Sequence, residues 1–260
     1  MRKDALTITL TTLVLGIFGA FLRWLQNMNL YDDEGLAARG AGISIVLAVY
    51  LIAAAVVLLL IVRLWLRRYV FPADAGAALR CRTFVPAVLS WVMAAVLVAA
   101  SLVLLFSADL AAFPTLQRIF GAAGILAGLC IPGLFPKRGT DAPGAAAKSA
   151  SAFLTLFFCY WLVFSYKLGS DEPQFWAYAP GLLAVAAALL GVYYLTAIFY
   201  GRARPMATMF LLPLAAVLNL TTVFDPRRGS LTAIHLVAAA LMLLAQYLLI
   251  ENMAEDPNRE

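Results

Sequence analysis

Long apolar runs separated by short polar segments recur along the whole chain. An α-helix needs about 20 mostly apolar residues to cross the hydrocarbon core of a bilayer, and each run is close to that length. The pattern predicts eight membrane-spanning helices, at residues 7–25, 41–66, 84–107, 115–135, 150–166, 176–200, 206–224 and 231–250. No segment between them is long enough for a separate soluble domain. We therefore expect residues 1–260 to form a single domain, an all-α bundle of membrane helices.

Two of these spans allow a second interpretation. The first follows a short charged segment, as a signal sequence does, but its apolar run is long and no small-residue cleavage site closes it. We interpret it as an uncleaved span. The seventh contains Pro213, and polar residues lie in its second half. Membrane helices tolerate proline when neighbours satisfy the freed carbonyl, so we expect a span. A re-entrant segment is the alternative, and it would move the tail to the other side of the membrane.

The composition agrees with a membrane location. Hydrophobic residues make up 64% of the chain and charged residues 13%, and the mean hydropathy is +0.91. A soluble domain of this length could not cover so much apolar side chain with a polar surface. Lysine and arginine gather in the alternate connecting segments 67–83, 136–149 and 201–205. The positive-inside rule places these segments in the cytoplasm. We therefore expect a multi-pass protein of the cell (inner) membrane, with four in–out–in hairpins and both termini cytoplasmic.

Several classes of function lack their sequence signature. The net charge of +5 follows from the positive-inside bias, and no basic segment carries the interleaved aromatic residues of a nucleic-acid groove. No nucleotide-phosphate loop and no nucleophile elbow is present. The single histidine, His235, cannot form a bis-histidine haem site or a paired-histidine zinc site. The three cysteines form no paired motif. We expect neither a metal site nor a cofactor.

Polar residues near the predicted outer ends of the spans are the candidate site residues. Polar groups inside a membrane are costly and therefore often mark functional positions. The candidates are Arg23, Tyr31, Asp32, Glu34, Arg118, Asn219 and His235. They predict an outward-facing polar cavity, in which the arginines pair with an anionic ligand or with the acids of the first loop. The alternative is purely structural. Helix ends favour arginine and tyrosine as interface anchors, and a lone histidine can be hydrogen-bonded structure.

The segment that follows the first span resembles a known motif. An Arg-Trp pair at positions 23 and 24 ends the apolar run, and the sequence YDDEGL follows at positions 31–36. This order resembles the first-loop signature of an uncharacterised family of polytopic membrane proteins from clostridia-like bacteria. The matched motif lies within residues 1–40. The resemblance implies a bacterial inner-membrane location and carries no assigned activity.

Three functions remain open at this point. The leading hypothesis is a small-molecule-binding membrane protein, transporter-like or sensor-like, with a polar site open to the outside. The second is a structural or accessory subunit, or a homo-oligomer, that packs through the small-residue faces Gly16/Gly19 and Gly124/Gly128. The third is a lipid enzyme at the outer leaflet that uses His235 and an acid. No motif supplies a nucleophile for it, so we do not expect an enzyme. Membrane lipids are the partner common to all three.

Overall fold

The computed structural model describes residues 3–29, 42–72, 75–81, 83–107, 114–135, 144–169 and 175–255. Within these ranges the chain forms α1 (Lys3–Met28), α2 (Gly42–Leu66), β1 (Tyr69–Val70), α3 (Ala75–Ala78), α4 (Phe84–Phe106), α5 (Pro114–Cys130), α6 (Ala145–Gly169), α7 (Phe175–Phe199), α8 (Pro205–Thr221), α9 (Gly229–Asn252) and β2 (Ala254–Glu255). The 3₁₀ turns Ile131–Leu134 and Thr222–Phe224 extend α5 and α8. The predicted all-α fold is confirmed.

In the described part of the chain, eight helices are long and apolar enough to cross a membrane, as predicted. The seventh, Pro205–Phe224, reaches this length in spite of Pro213. The fifth begins at Ala145, earlier than predicted. Residues 145–147 are alanines, which favour helix whether or not they lie inside the hydrocarbon. Hydropathy therefore located the fifth span, and the helix propensity of the alanines extends its helix beyond the predicted start.

Helices α8 and α9 lie at the centre of the bundle. In their most apolar stretches, 61% of the α8 residues and 72% of the α9 residues are buried inside the protein, against 22% for α2. α8 packs against α1, α2, α7 and α9, while α9 also packs against α4. The outer face of α2 exposes Ile45, Val49 and Ile52. Such a face suits contact with lipid chains, whereas Asn219 of α8 and His235 of α9 are buried and enclosed by protein.

Small residues allow two pairs of helices to approach closely. A Cβ atom added at Gly121 of α5 would lie 2.8 Å from the backbone oxygen of Ser101 in α4. A Cβ atom added at Gly16 of α1 would collide with the side chain of Leu220 in α8. These contacts place the two small-residue faces, which the sequence offered to a partner protein, against helices of the same chain.

The two ends of the bundle differ in their contacts. At one end, which we call the tail face, β1 and β2 pair antiparallel, with Tyr69 opposite Glu255 and Val70 opposite Ala254. The side-chain amide of Asn252 donates there to the carbonyl oxygen of Ala78 at 3.1 Å. The segment after α9 thus meets the connection between α2 and α4 on one side of the bundle, as eight antiparallel spans require. The opposite end carries the Thr222–Phe224 turn and the start of α9, and we call it the cavity face.

Candidate functional site

Arg23 is a fully buried charged side chain on α1. Its exposed fraction is 0%. Nε donates to Oδ1 of Asp225 at 2.5 Å, and Nη1 donates to Oε1 of Gln26 at 2.5 Å. Nη2 donates to the backbone oxygen of Ala177 at 2.8 Å. Gln26 in turn donates to Oγ of Ser44 on α2 at 2.8 Å. Every guanidinium nitrogen therefore has an acceptor, which is what a buried arginine needs.

Asp225 joins two arginines in the turn between α8 and α9. Its side chain is 6% exposed. Oδ1 accepts from Arg23, and Oδ2 accepts from Nη2 of Arg227. The backbone N–H of Arg227 also donates to the backbone oxygen of Asp225 at 2.7 Å. One carboxylate thus serves two guanidinium groups, so these three side chains together carry one positive charge.

The guanidinium group of Arg227 lies against the backbone of α7 at Gly181. A Cβ atom at Gly181 would be 3.1 Å from Nη2 of Arg227 and 3.8 Å from Oδ2 of Asp225. Burial lowers the pKa of Arg227, the carboxylate of Asp225 opposes that shift, and the charge of Arg23 adds to it. The group remains charged at neutral pH because an arginine pKa lies far above 7. Within the described part of the chain, the Arg227 side chain hydrogen-bonds through Nη2 to Asp225, so Nε and Nη1 make no hydrogen bond to the protein.

Asn219 fixes the protonation pattern of His235. Nδ2 of Asn219 lies 3.0 Å from the backbone oxygen of Ala184 and 2.8 Å from that of Ala215, so it donates to both. Its Oδ1 is therefore the atom that lies 2.8 Å from Nδ1 of His235, and it can only accept. The proton of a neutral His235 ring thus sits on Nδ1. Nε2 carries a lone pair that makes no hydrogen bond within the described residues.

A cavity of about 290 Å³ lies between α6, α7 and α9 at the cavity face. Its apolar wall includes Trp161 and Phe164, both buried on α6. The ring of Trp161 meets that of His235 edge-on, with centroids 4.7 Å apart. Arg227 and His235 both line the cavity, and Asp225 lines it as well. The cavity therefore combines aromatic walls with a cation, a carboxylate and an imidazole, the mixture typical of small-molecule sites.

The predicted site residues have three different outcomes. Arg23, Asn219 and His235 lie at the cavity face, where His235 lines the cavity and the other two hold its polar residues in place. Arg118 is exposed on α5 and is not among the residues that line this cavity. Tyr31, Asp32 and Glu34 lie outside the described residues. The predicted site therefore stays a prediction, and three of its residues lie together at one end of the bundle.

Sequence reasoning did not single out the partners of these residues. Asp225 and Arg227 lie between the seventh and eighth predicted spans, and Trp161 and Phe164 lie within the fifth. One signal was available. Asp225 follows the polar half of the seventh span directly, and it faces the same predicted side of the membrane as Arg23. An acid and a base at the same depth are candidates for an ion pair.

The described residues contain no group of three or more histidine, cysteine, aspartate or glutamate side chains arranged to hold a metal ion. The three cysteines are free thiols at separate positions. Cys81, in the connection between α2 and α4, is buried, and burial raises the pKa of its thiol. A buried thiol with a raised pKa is a poor nucleophile at neutral pH, so Cys81 offers no chemistry to the site.

Comparison with known proteins identifies no family for this chain. No protein-family model, curated protein or solved structure matches the chain. The resemblance of positions 23–36 to a clostridial membrane family stays a prediction, and residues 30–41 lie outside the part of the chain that the structure describes. The function must therefore be inferred from the contacts of the chain itself, a polytopic membrane protein with eight apolar helices among its described residues.

Proposed function

We propose that this protein binds a small molecule in the cavity at the cavity face, as a transporter-like or sensor-like membrane protein whose site opens to the outside. One observation carries the proposal. The cavity of about 290 Å³ is lined by Arg227 and His235, which both retain hydrogen-bonding nitrogens that the described protein does not use. Unused polar atoms next to an aromatic wall suit a ligand that has both polar and apolar parts.

A purely structural role accounts for these residues less well. Arg23 and Asn219 are saturated by hydrogen bonds within the bundle, as structural polar groups in a membrane protein are. Arg227 and His235 each retain nitrogens that make no hydrogen bond within the described residues, and these nitrogens are not among the fully buried polar atoms of that part of the chain. A bundle that needed only to fold could hold apolar side chains at both positions. The outward orientation is supported by the basic segments, which belong to the tail face.

A cysteine comparison on α6 tests whether the cavity holds water. Ser165 lines the cavity, whereas Val163, two residues away, is 54% exposed on the surface that faces lipid. The native residues Cys81, Cys130 and Cys159 are first replaced, and Ser165→Cys or Val163→Cys is then introduced. The purified proteins in lipid nanodiscs are treated with a charged thiol reagent.

We expect Ser165→Cys to react at a rate on the order of tenfold or more above Val163→Cys, because a charged reagent travels through water and not through hydrocarbon. The two positions lie at nearly the same depth, since a helix rises about 1.5 Å per residue. Depth alone therefore cannot account for a difference. Equal and slow labelling at both positions would mean that the cavity is closed to water, and the proposal would fail.

A further inference from the structure

Building on the proposed function, we infer that the ligand is a small anion with an apolar part, whose acidic group binds to the guanidinium of Arg227. The acidic group can belong to a free organic acid or to a lipid headgroup. The chemistry that recognises it is the same in both cases. The inference rests on the charge of the site, the geometry of Arg227 and the shape of the apolar wall.

The charge balance of the site favours an anion. Arg23 is 0% exposed and Asp225 is 8% exposed, so both charges are removed from water. Asp225 neutralises one of the two arginines that it contacts, and the sum of the three side chains is one positive charge. Beside the Nε and Nη1 atoms of Arg227, which lines the cavity, a cationic ligand would meet a like charge, whereas an anion would meet an opposite one.

The geometry of Arg227 presents donors to the cavity. Asp225 binds Nη2 from one side, and the absence of a side chain at Gly181 lets the guanidinium lie close to α7. The remaining nitrogens, Nε and Nη1, belong to a side chain that is 16% exposed and lines the cavity. A planar guanidinium held on one side is prepared to bind a carboxylate or phosphate without further ordering.

The apolar wall sets the size and character of the rest of the ligand. Trp161 and Phe164 are 1% and 0% exposed, and Leu231 of α9 lines the cavity as well. A volume of about 290 Å³ is at the lower end of the range for ligand pockets, roughly 300–1,000 Å³. The cavity therefore fits a compound with one ring or a short chain, with its apolar part on the aromatic wall and its acidic group at Arg227.

Three probes of matched shape test the charge preference. They are 3-phenylpropionate, 3-phenylpropan-1-ol and 3-phenylpropylamine, which share a phenyl group and a three-carbon chain and differ in charge. Each is added to the Ser165→Cys protein in phosphatidylcholine nanodiscs, and the rate of thiol labelling is measured over a concentration series. We expect the anion to slow labelling in a saturable manner, with an apparent affinity on the order of tenfold above that of the alcohol or the amine.

The possible failures are distinguishable. If Ser165→Cys is labelled rapidly but the amine or the alcohol protects as well as the anion, or the anion gives no protection at millimolar concentration, the anion inference is overturned while the water-filled cavity stands. If Ser165→Cys is labelled no faster than Val163→Cys, the proposed function itself has failed. Arg227, Asp225 and His235 are unchanged in all of these comparisons, and size-exclusion profiles of the Ser165→Cys and Val163→Cys proteins exclude misfolding as the cause of either result.

Variants of Arg227 assign the anion to this side chain. In Arg227→Gln the apparent affinity for 3-phenylpropionate is expected to fall tenfold or more. Arg227→Lys keeps the positive charge but lacks the planar set of N–H donors, so it is expected to retain part of that affinity. Size-exclusion profiles identify variants that do not fold. If Arg227→Gln folds and is protected as well as the parent protein, Arg227 is not the anion-binding residue and the inference is wrong.

The lipid composition of the nanodisc identifies the source of the anion. Nanodiscs of phosphatidylglycerol replace those of phosphatidylcholine, with no probe added. Slower labelling of Ser165→Cys in phosphatidylglycerol, relieved by Arg227→Gln, would support the inference with a lipid headgroup as the ligand. Equal labelling in both lipids, together with protection by 3-phenylpropionate, would support it with a free acid as the ligand. Absence of both effects overturns it.

Discussion

At the scale of single residues, Arg23 illustrates how a charge is accommodated among apolar helices. Its three nitrogens donate to a carboxylate, a side-chain amide and a backbone carbonyl from three different parts of the chain. Removing a charge from water is costly, and only good geometry with full hydrogen bonding offsets that cost. Arg23 therefore holds together the end of α1, the start of α7 and the turn before α9.

Asp225→Asn is predicted to destabilise the protein by about 3–5 kcal/mol, because two guanidinium groups would remain buried without their carboxylate. Asp4→Asn is the matched control, since Asp4 is exposed in the first turn of α1. The free energy of unfolding is measured by titration with SDS in mixed micelles. Equal stability of the two variants would contradict the ion-pair account.

A double variant isolates the interaction between Arg23 and Asp225 from the effect of each substitution on its other neighbours. Arg23→Gln combined with Asp225→Asn is expected to lose less free energy of unfolding than the sum of the two single variants. Each single variant already removes the contact between Arg23 and Asp225, so the sum of the two counts that contact twice, while the contact of Asp225 with Arg227 is lost only once. Additive losses would show that the two side chains contribute independently, in spite of the 2.5 Å contact between them.

At the scale of helices, close approach through glycine decides which elements are neighbours. The backbone of α4 passes Gly121 of α5 so closely that a Cβ atom would lie 2.8 Å from an oxygen and 2.9 Å from a nitrogen of the α4 main chain. Backbone atoms cannot move aside as a flexible side chain can. The two helices would therefore have to separate.

Gly121→Ala is therefore predicted to destabilise the protein by about 1–3 kcal/mol through overpacking. Gly144→Ala is the control, because a Cβ atom there meets nothing within 4 Å. Gly144 directly precedes the first residue of α6, a position at which alanine is somewhat less favourable than glycine, so the control is expected to lose less than about 1 kcal/mol. The midpoint of thermal unfolding in detergent compares the two. A Gly121→Ala protein as stable as the Gly144→Ala protein would contradict the close approach of α4 and α5.

Arg118 shows what hydropathy leaves undetermined at this scale. It is next to Gln117, which is buried and donates to the backbone oxygen of Leu104 at 2.6 Å, yet Arg118 itself is exposed. Neighbouring residues on a helix point about 100° apart, so the rotation of α5 separates a buried amide from an exposed guanidinium. The sequence places both residues in the first turn of the fourth predicted span. The rotation follows from packing against α4, which a single sequence does not reveal.

At the scale of the whole molecule, the number of spans could be predicted and the arrangement of the helices could not. The thickness of the bilayer sets the length of each apolar run, so hydropathy alone located eight spans. Neighbour relations depend instead on side-chain shape. Among the described residues Arg23 pairs with Asp225, 202 positions away, a partner that no local sequence pattern indicates. Its pairing with a ligand or with the acids of the first loop stays a prediction. The cavity depends on the same long-range packing.

The most direct measurement is labelling in intact cells with a membrane-impermeant thiol reagent, because the central claim is a water-filled cavity that opens to the outside. Ser165→Cys reports on the cavity, and Arg202→Cys reports on the tail face, where Arg202 is exposed. We predict that Ser165→Cys reacts in intact cells and that Arg202→Cys reacts only after the membrane is opened. Labelling of Arg202→Cys in intact cells, with Ser165→Cys unreactive, would contradict the account.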